Sequence, residues 1–279
     1  MAGSVDFADL VNPLRIGFIA DTHFEQHGLM RRAVSLMCED GPIDYLVHLG
    51  DFLHNFKGRP GTGDKPYKPY ERTAGRLDEI SREFGLKGVG VIPGNHEVRH
   101  KEEGLRELEK FSIHKKVDPL VEWGGYNFLG YGGGYNFVQD NGWEAFDDSR
   151  YRCNSDELKG LMDGRDIDIL LLHQLEDTKN GDSLRKVIEE SKVKMVISGH
   201  THNHGVNFYG KPIYASCGPI WPLDKATNHP NQLGNSSYAV LELENNSARM
   251  RFYFFKRDTK GVGDVGGLAT GLKVNFDYY

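Results

Sequence analysis

The chain has 279 residues, enough for one large domain with a sizeable buried core, and its 38% hydrophobic and 27% charged residues are ordinary for a globular protein. A formal net charge of −6 excludes the strongly basic balance of a duplex-binding protein, although a local basic patch stays open. The start, Met1 to Asn12, carries Asp6 and Asp9 with no apolar run behind a basic cluster, and no stretch approaches the ~20 apolar residues of a membrane span, so a soluble cytoplasmic protein without membrane contact is expected.

Short apolar runs alternate with helix-period segments. Leu14 to Ala20 reads as a buried strand. Met30, Ala33, Val34 and Met37 then mark one helix face, which Gly41-Pro42 ends. Tyr45 to Leu49 is a second strand. Ala74, Leu77, Ile80 and Phe84 give another helix face, ended by Gly85, and Val89 to Ile92 is a third strand. This β-α-β-α-β order predicts a parallel sheet with crossover helices. Tyr126 to Tyr131 is a further strand before Gly132-Gly133-Gly134, which reads as a flexible turn near a cleft. It is no phosphate loop, because neither Lys-Ser/Thr nor a helix follows. Ile167 to Leu172 is a strand, Leu184, Val187 and Ile188 mark a helix, and Val193 to Ser198 is the next strand. Two hairpins are predicted after it, one joining 205–209 to 212–215 and one joining 238–243 to 250–255. The expected architecture is two packed, mixed β-sheets flanked by helices, over residues 1–260. Residues 261–279 read as a C-terminal tail whose aromatic end, Phe276-Asp277-Tyr278-Tyr279, could dock.

Cys38, Cys153 and Cys217 are odd in number and far apart, with no CxxC pair, so a disulfide framework is not expected and a reducing compartment fits. Cys217 reads as a small packed hydrophobe.

The polar residues with chemistry follow strand ends. Asp21-Thr22-His23 follows the first strand, Gly50-Asp51 the second, and Gly94-Asn95-His96-Glu97 the third. His173 follows the strand ending at Leu172, and Gly199-His200-Thr201-His202 follows the strand ending at Ser198. Ligands of α/β sheets bind at carboxyl ends of strands, so five strands deliver oxygen and imidazole donors to one edge. Carboxylate with imidazole suits Mn, Fe, Zn or similar divalent ions, and the lack of cysteine in these blocks argues against a thiolate zinc site. Asp-x-His and His-x-His would place alternate side chains on one side of an extended chain. Glycines before Asp51, Asn95 and His200 permit tight turns.

These five blocks, in this order over residues 21 to 202, resemble the calcineurin-like metallophosphoesterases. The resemblance implies a four-layer α/β/β/α sandwich and two divalent ions, of Mn, Fe, Zn, Ni or Mg. It implies that Asp21, His23 and His202 hold one ion, that Asn95, His173 and His200 hold the other, and that Asp51 is shared. It further implies a metal-bridging hydroxide as nucleophile, and His96 as the catalytic general acid that does not bind metal. One departure is visible. Protein phosphatases of this family carry Gly-Asp-x-x-Asp-Arg-Gly at the second block, whereas this chain has Gly50-Asp51-Phe52-Leu53-His54-Asn55-Phe56. His54 replaces the acid that orients the catalytic histidine, so a phosphodiesterase is expected ahead of a protein phosphatase.

The remaining histidines divide by position. His48, in an apolar strand, reads as a core residue, and His204 as part of a solvated or substrate-facing loop. His27 and His54 stand open as cleft residues, while His100, His114 and His229 carry no signal. Between Lys57 and Arg72, basic residues interleave with Tyr67 and Tyr70, which suits a solvated loop or a nucleic-acid backbone contact. The expected partner is therefore a phosphoester substrate, a small molecule or a nucleic acid. A metal-dependent nuclease, a phosphomonoesterase and a partner-binding protein without chemistry are the alternatives.

Overall fold

Strand β1 (Leu14–Ile19) sends alternate side chains into two different cores. Ile16, Phe18 and the following Ala20 enter one apolar cluster, and Ile19 enters another. The same division runs through its neighbours β2 (Tyr45–His48) and β10 (Ser237–Glu244). Val47, Ala239, Leu241 and Leu243 join Phe18, while Leu46, Tyr238 and Val240 join Ile19. A strand with apolar residues on both faces must be covered on both.

The computed structural model describes residues 13–23, 27–52, 68–97, 108–113, 119–134, 153–175, 184–202, 204–207, 211–220, 237–245, 247–254, 257–258, 261–262 and 268–275. The first sheet has the order β14-β11-β10-β1-β2-β3, adding β3 (Gly88–Val91), β11 (Ser247–Phe254) and β14 (Leu268–Asn275). β1, β2 and β3 run parallel; β10, β11 and β14 pair antiparallel. The second sheet is built from β4 (Leu120–Trp123), β5 (Tyr126–Tyr131), β6 (Ile169–Leu172), β7 (Met195–Ser198), β8 (Gly205–Asn207) and β9 (Ile213–Ser216). Its order is β4-β5-β6-β7-β9-β8, with β5, β6, β7 and β9 parallel. A two-stranded ribbon joins β12 (Arg257–Asp258) to β13 (Gly261–Val262).

Helices cover the outer faces. α1 (His27–Glu39) buries Met30, Ala33, Val34 and Met37, the face predicted from its spacing. The Arg15 guanidinium reaches its end, donating to Pro42 O at 3.1 Å and Met37 O at 3.5 Å, where carbonyls lack helical partners. α2 (Lys68–Glu83) buries Tyr70, Ala74, Leu77 and Ile80 beside α1. On the second sheet lie α3 (Ser155–Met162) and α4 (Leu184–Glu189). The Asn154 side chain caps α3 by accepting from Asp156 N–H and Glu157 N–H at 2.9 and 3.0 Å. Leu158, Leu184 and Ile188 pack there against Leu170, Leu172 and Val196. Ile169, Leu171, Met195 and Ile197 face the first sheet. The result is the expected four-layer α/β/β/α sandwich. Truncating fully buried Phe18 between its sheets to alanine would cost about 3–5 kcal/mol.

Both predicted hairpins form, as β8–β9 and β10–β11. The segment from 261, expected as a tail, differs: β14 pairs with β11 from Ser247↔Asn275 to Tyr253↔Leu268 and is an edge strand of the first sheet. Its pattern, LATGLKVN, has two interior breaks in apolar alternation, so only pairing with β11 reveals it. The docking expected of Phe276–Tyr279 lies outside the described residues. No described helix is long and apolar enough to cross a membrane.

Candidate metal centre

The carboxyl ends of β1, β2 and β3 and those of β6 and β7 meet at one edge of the sandwich, where the two sheets touch. A parallel bridge between Ala20 and Pro219, and the bond from Ile220 N–H to Ala20 O at 3.1 Å, tie β1 to the second sheet beside this edge. All eight residues singled out from the sequence converge there. Donor atoms of Asp21, His23 and His202 lie within 4.8 Å of one another, as do those of Asp51, His173 and His200. A third group, His23, Asp51 and His96, links the first two through shared residues.

The loops reach this arrangement by a backbone route that sequence spacing does not predict. Asp21, His23, Asp51, His200 and His202 all have positive φ, at 51°, 42°, 56°, 67° and 55°. They are therefore left-handed turns, not the extended Asp-x-His and His-x-His expected. Such a conformation costs a non-glycine residue on the order of 1–3 kcal/mol and persists where surrounding contacts enforce it. Those contacts are present: Asp21 N–H donates to Gly50 O at 3.0 Å, and His23 N–H to Asp51 O at 2.9 Å. Gly50, at φ 96°, lets the loops close, because a Cβ there would stand 2.6 Å from Gly94 N and 2.7 Å from His173 Nδ1.

The two aspartates divide their oxygens alike. Asp51 Oδ1 accepts from His96 N–H at 2.8 Å, and Oδ2 faces His173 Nε2 at 3.4 Å, His96 Nε2 at 3.7 Å and His23 Nε2 at 3.8 Å. Asp21 Oδ2 accepts from His200 N–H at 3.0 Å, and Oδ1 faces His202 Nε2 at 3.4 Å and His23 Nε2 at 4.0 Å. Asn95 Oδ1 lies 2.9 Å from both His173 Nε2 and His200 Nδ1. His173 Nδ1 donates to Leu49 O at 2.7 Å, which turns Nε2 to the centre, as in metal-ligating histidines whose outer nitrogen is held. His23 Nε2 and His202 Nε2 face each other at 3.2 Å.

This donor set fits divalent cations. Imidazole nitrogens and carboxylate or amide oxygens bind such ions at ~2.0–2.2 Å. Donors sharing one ion therefore stand roughly 3–4 Å apart, the range found here. A shared cation would resolve the facing imidazole nitrogens and the buried carboxylate oxygen turned toward two of them.

Electrostatics reflect the crowding. Burial opposes charge on Asp51, but His173, His96 and His23 outweigh it and hold its carboxyl well below the usual range. Burial would lower His173, yet the Asp51 and Asp21 carboxylates push it up to about 9. At His23 and His200 burial wins, and the imidazoles are pushed down to about 3 and about 4.

Glu97 is a buried residue of this centre that the sequence marked only as part of a block. It is fully buried, and its carboxylate accepts from Asp51 N–H and Gly94 N–H, each at 2.7 Å, and from Phe52 N–H at 2.9 Å. One side chain thus holds the loops after β2 and β3 together. Burial and the Asp51 charge push it up to about 8, against the pull of its backbone donors. An acid directly after the Gly-Asn-His run was the available signal, but acids are usually solvated.

Other expectations fall as follows. Gly132-Gly133-Gly134 is packed instead of flexible: Gly133 N–H donates to Pro93 O at 2.6 Å, and a Cβ on Gly134 would stand 2.3 Å from Asn95 Cβ. Close approach to the β3 loop is what excludes side chains there. His27 opens α1, with Nε2 3.4 Å from Thr73 Oγ1 of α2. His204 is half-buried near Phe252, ring centroids 6.5 Å apart. Cys217 is buried in the inter-sheet core. His54 and residues 57–67 lie outside the described residues, while Lys68 to Arg72 form the first turn of α2, not a loop.

The family model for calcineurin-like phosphoesterases matches residues 14–204. Among curated proteins none matches by sequence. One similar solved structure, a conserved uncharacterized Streptococcus pneumoniae protein described as a predicted phosphoesterase, is 12% identical with a TM-score of 0.45, over 94% of this chain and 97% of its own. Vacuolar protein sorting 29 from Cryptosporidium parvum is 13% identical with a TM-score of 0.47, over 95% and 99%. A further solved chain, 15% identical with a TM-score of 0.52 over 82% and 95%, shares the fold. With more than half of its length matched, and with Asp, Asn and His donors gathered at one sheet edge, this chain belongs to the calcineurin-like phosphoesterase family.

Proposed function

We propose that this protein is a two-metal phosphoester hydrolase whose substrates are phosphodiesters. The observation that carries the reading is the position of Asp51 Oδ2, which faces imidazoles of both donor groups and so suits a shared ligand. Asp21, His23 and His202 would hold one ion, Asn95, His173 and His200 the other, and Asp51 both. Divalent cations bound there supply a lowered pKa for water and charge stabilisation for phosphoryl oxygens.

The chain's own residues do the rest. Leu49 O orients His173, Asp51 Oδ1 fixes the His96 backbone, and Asp21 Oδ2 fixes that of His200. His96, partly exposed at the rim of the buried centre, would give a proton from its imidazole to the leaving oxygen. Imidazole is the side chain most often used as a general acid. Its Nε2 lies beside Asp51 Oδ2, so the acid stands next to the shared ligand. The diester preference rests on His54, which takes the place of the orienting acid of protein phosphatases. A reducing cytoplasm suits Cys38, Cys153 and Cys217, which form no disulfide.

A nuclease is the second reading, supported by the basic, tyrosine-bearing stretch that follows the Asp51 block. The test is turnover by purified protein with Mn²⁺ on a chromogenic phosphodiester, a chromogenic monoester and single-stranded DNA. Preferred cleavage of the chromogenic diester supports the proposal. Cleavage of DNA alone, falling steeply with salt, supports the nuclease. No turnover with two ions bound would leave a metal-binding protein without hydrolysis.

A further inference from the structure

Beneath the centre lies a hydrogen-bonded chain that the reaction itself does not use. His48, the last residue of β2, is fully buried, and its ring stacks on Phe52 at 3.7 Å between centroids and 21° between planes. Gly50 N–H donates to His48 Nδ1 at 3.1 Å. Nδ1 is therefore an acceptor, and the ring's proton sits on Nε2. Nε2–H points at Thr22 Oγ1 at 3.1 Å, and the Thr22 hydroxyl donates onward to Phe52 O at 3.3 Å.

The residues joined are informative. Thr22 stands between Asp21 and His23, and the Gly50–Phe52 pair brackets Asp51. The chain from Gly50 through His48 and Thr22 to Phe52 thus clasps both aspartate loops from below. Asp21, His23 and Asp51 hold left-handed backbones, which need enforcement from outside. Two backbone bonds join the loops directly. Side chains add two more links: Thr22 joins His48 and donates directly to Phe52 O. A core histidine of no consequence would need only packing. Here each ring nitrogen and the threonine hydroxyl has a partner on a metal-binding loop.

We propose that His48 and Thr22 are positioning residues, whose hydrogen bond sets the placement of Asp21 relative to Asp51 and so the affinity for both cations. The inference rests on the two-metal reading above. Its mechanism is outer-sphere: both side chains are buried and turn their polar atoms to each other, Gly50 and Phe52. Loss of such a partner typically weakens metal binding by about 10–100-fold.

The test uses the full chain, stripped of metal, with Mn²⁺ as the probe. Thr22→Val keeps threonine's shape and removes the hydroxyl, Thr22→Ser keeps the hydroxyl, and His48→Phe keeps the stack on Phe52. Mn²⁺ affinity and stoichiometry are read by calorimetry, with the Mn²⁺ electron paramagnetic resonance signal reporting coupling between two ions. Measurements are made well below the melting temperature of each metal-free variant. The expected result is a 10-fold or greater loss of affinity in Thr22→Val and His48→Phe, an altered coupling signal, and recovery to within threefold of wild type in Thr22→Ser. Wild-type affinity and coupling in Thr22→Val and His48→Phe, even with lowered melting temperatures, would overturn the inference and leave a packing role. Equal loss in Thr22→Ser and Thr22→Val would also overturn it, because the hydroxyl would not matter. Failure of the wild-type chain to bind two Mn²⁺ would instead remove the two-metal reading on which the inference stands.

Discussion

Asp51 Oδ1 accepts the backbone N–H of His96 at 2.8 Å, so the residue proposed to join two cations also anchors the loop of the proposed acid. Asparagine at position 51 can still accept that bond, but it carries no charge toward His173 and His23. Asp51→Asn is expected to abolish turnover and weaken Mn²⁺ binding at both positions by more than about 100-fold, beyond the ~10–100-fold typical of an outer-sphere partner. Elemental analysis and calorimetry check this. Two ions held as tightly as in wild type would contradict the shared-ligand assignment.

His96 raises the sharper question of role, since its Nε2 lies as near to Asp51 Oδ2 as that of His23 does. As an acid it is replaceable without metal loss. His96→Ala is expected to lower kcat by about 10²–10⁴-fold, the usual size of general acid–base help, with metal content near wild type. Loss of one ion on substitution would make His96 a ligand.

Glu97→Gln tests the clamp between loops. Glutamine offers one oxygen and an NH₂ group to a carboxylate site that receives three backbone N–H bonds. At least one buried donor is left unmatched, which costs about 1–3 kcal/mol. Chemical denaturation of the metal-free variant should show that loss, and Mn²⁺ affinity should fall with it. Unchanged stability would mean the loops hold without Glu97.

The metal-free chain should also show a proton linkage. Burial would lower His173, but the Asp51 and Asp21 carboxylates raise it to about 9, above the ordinary 6.5. A raised folded value means that His173 contributes stability fully below about pH 6.5 and loses it as pH rises through about 9. A cation at Nε2 must displace the same proton. Calorimetry of Mn²⁺ binding at pH 7.5, in two buffers of different ionisation enthalpy, should report release of about one proton for this site. Enthalpies independent of buffer would argue against binding at His173.

Where the sequence succeeded, the signal was local. Apolar spacing located α1 and α2, because one buried helix face repeats every three to four residues. β4 and β14 were not legible: Leu120–Trp123 is half-exposed, and Leu268–Asn275 lacks a regular alternation. Glu97 looked like any acid, because nothing local distinguishes a carboxylate that receives three backbone N–H groups from a solvated one.

By itself the sequence determined which residues stand at strand ends, since Asp21, Asp51, Asn95, His173 and His200 each follow an apolar run that can only be buried. Spacing along the chain carries that much, because strand and loop lengths are local properties. Only the tertiary structure decided how those residues face one another. The left-handed turns at Asp21, His23 and Asp51, the choice of Asp51 Oδ2 as the inward oxygen, and the chain from His48 through Thr22 all depend on contacts between loops distant in sequence. Such backbones are unfavourable alone and hold because neighbouring loops enforce them.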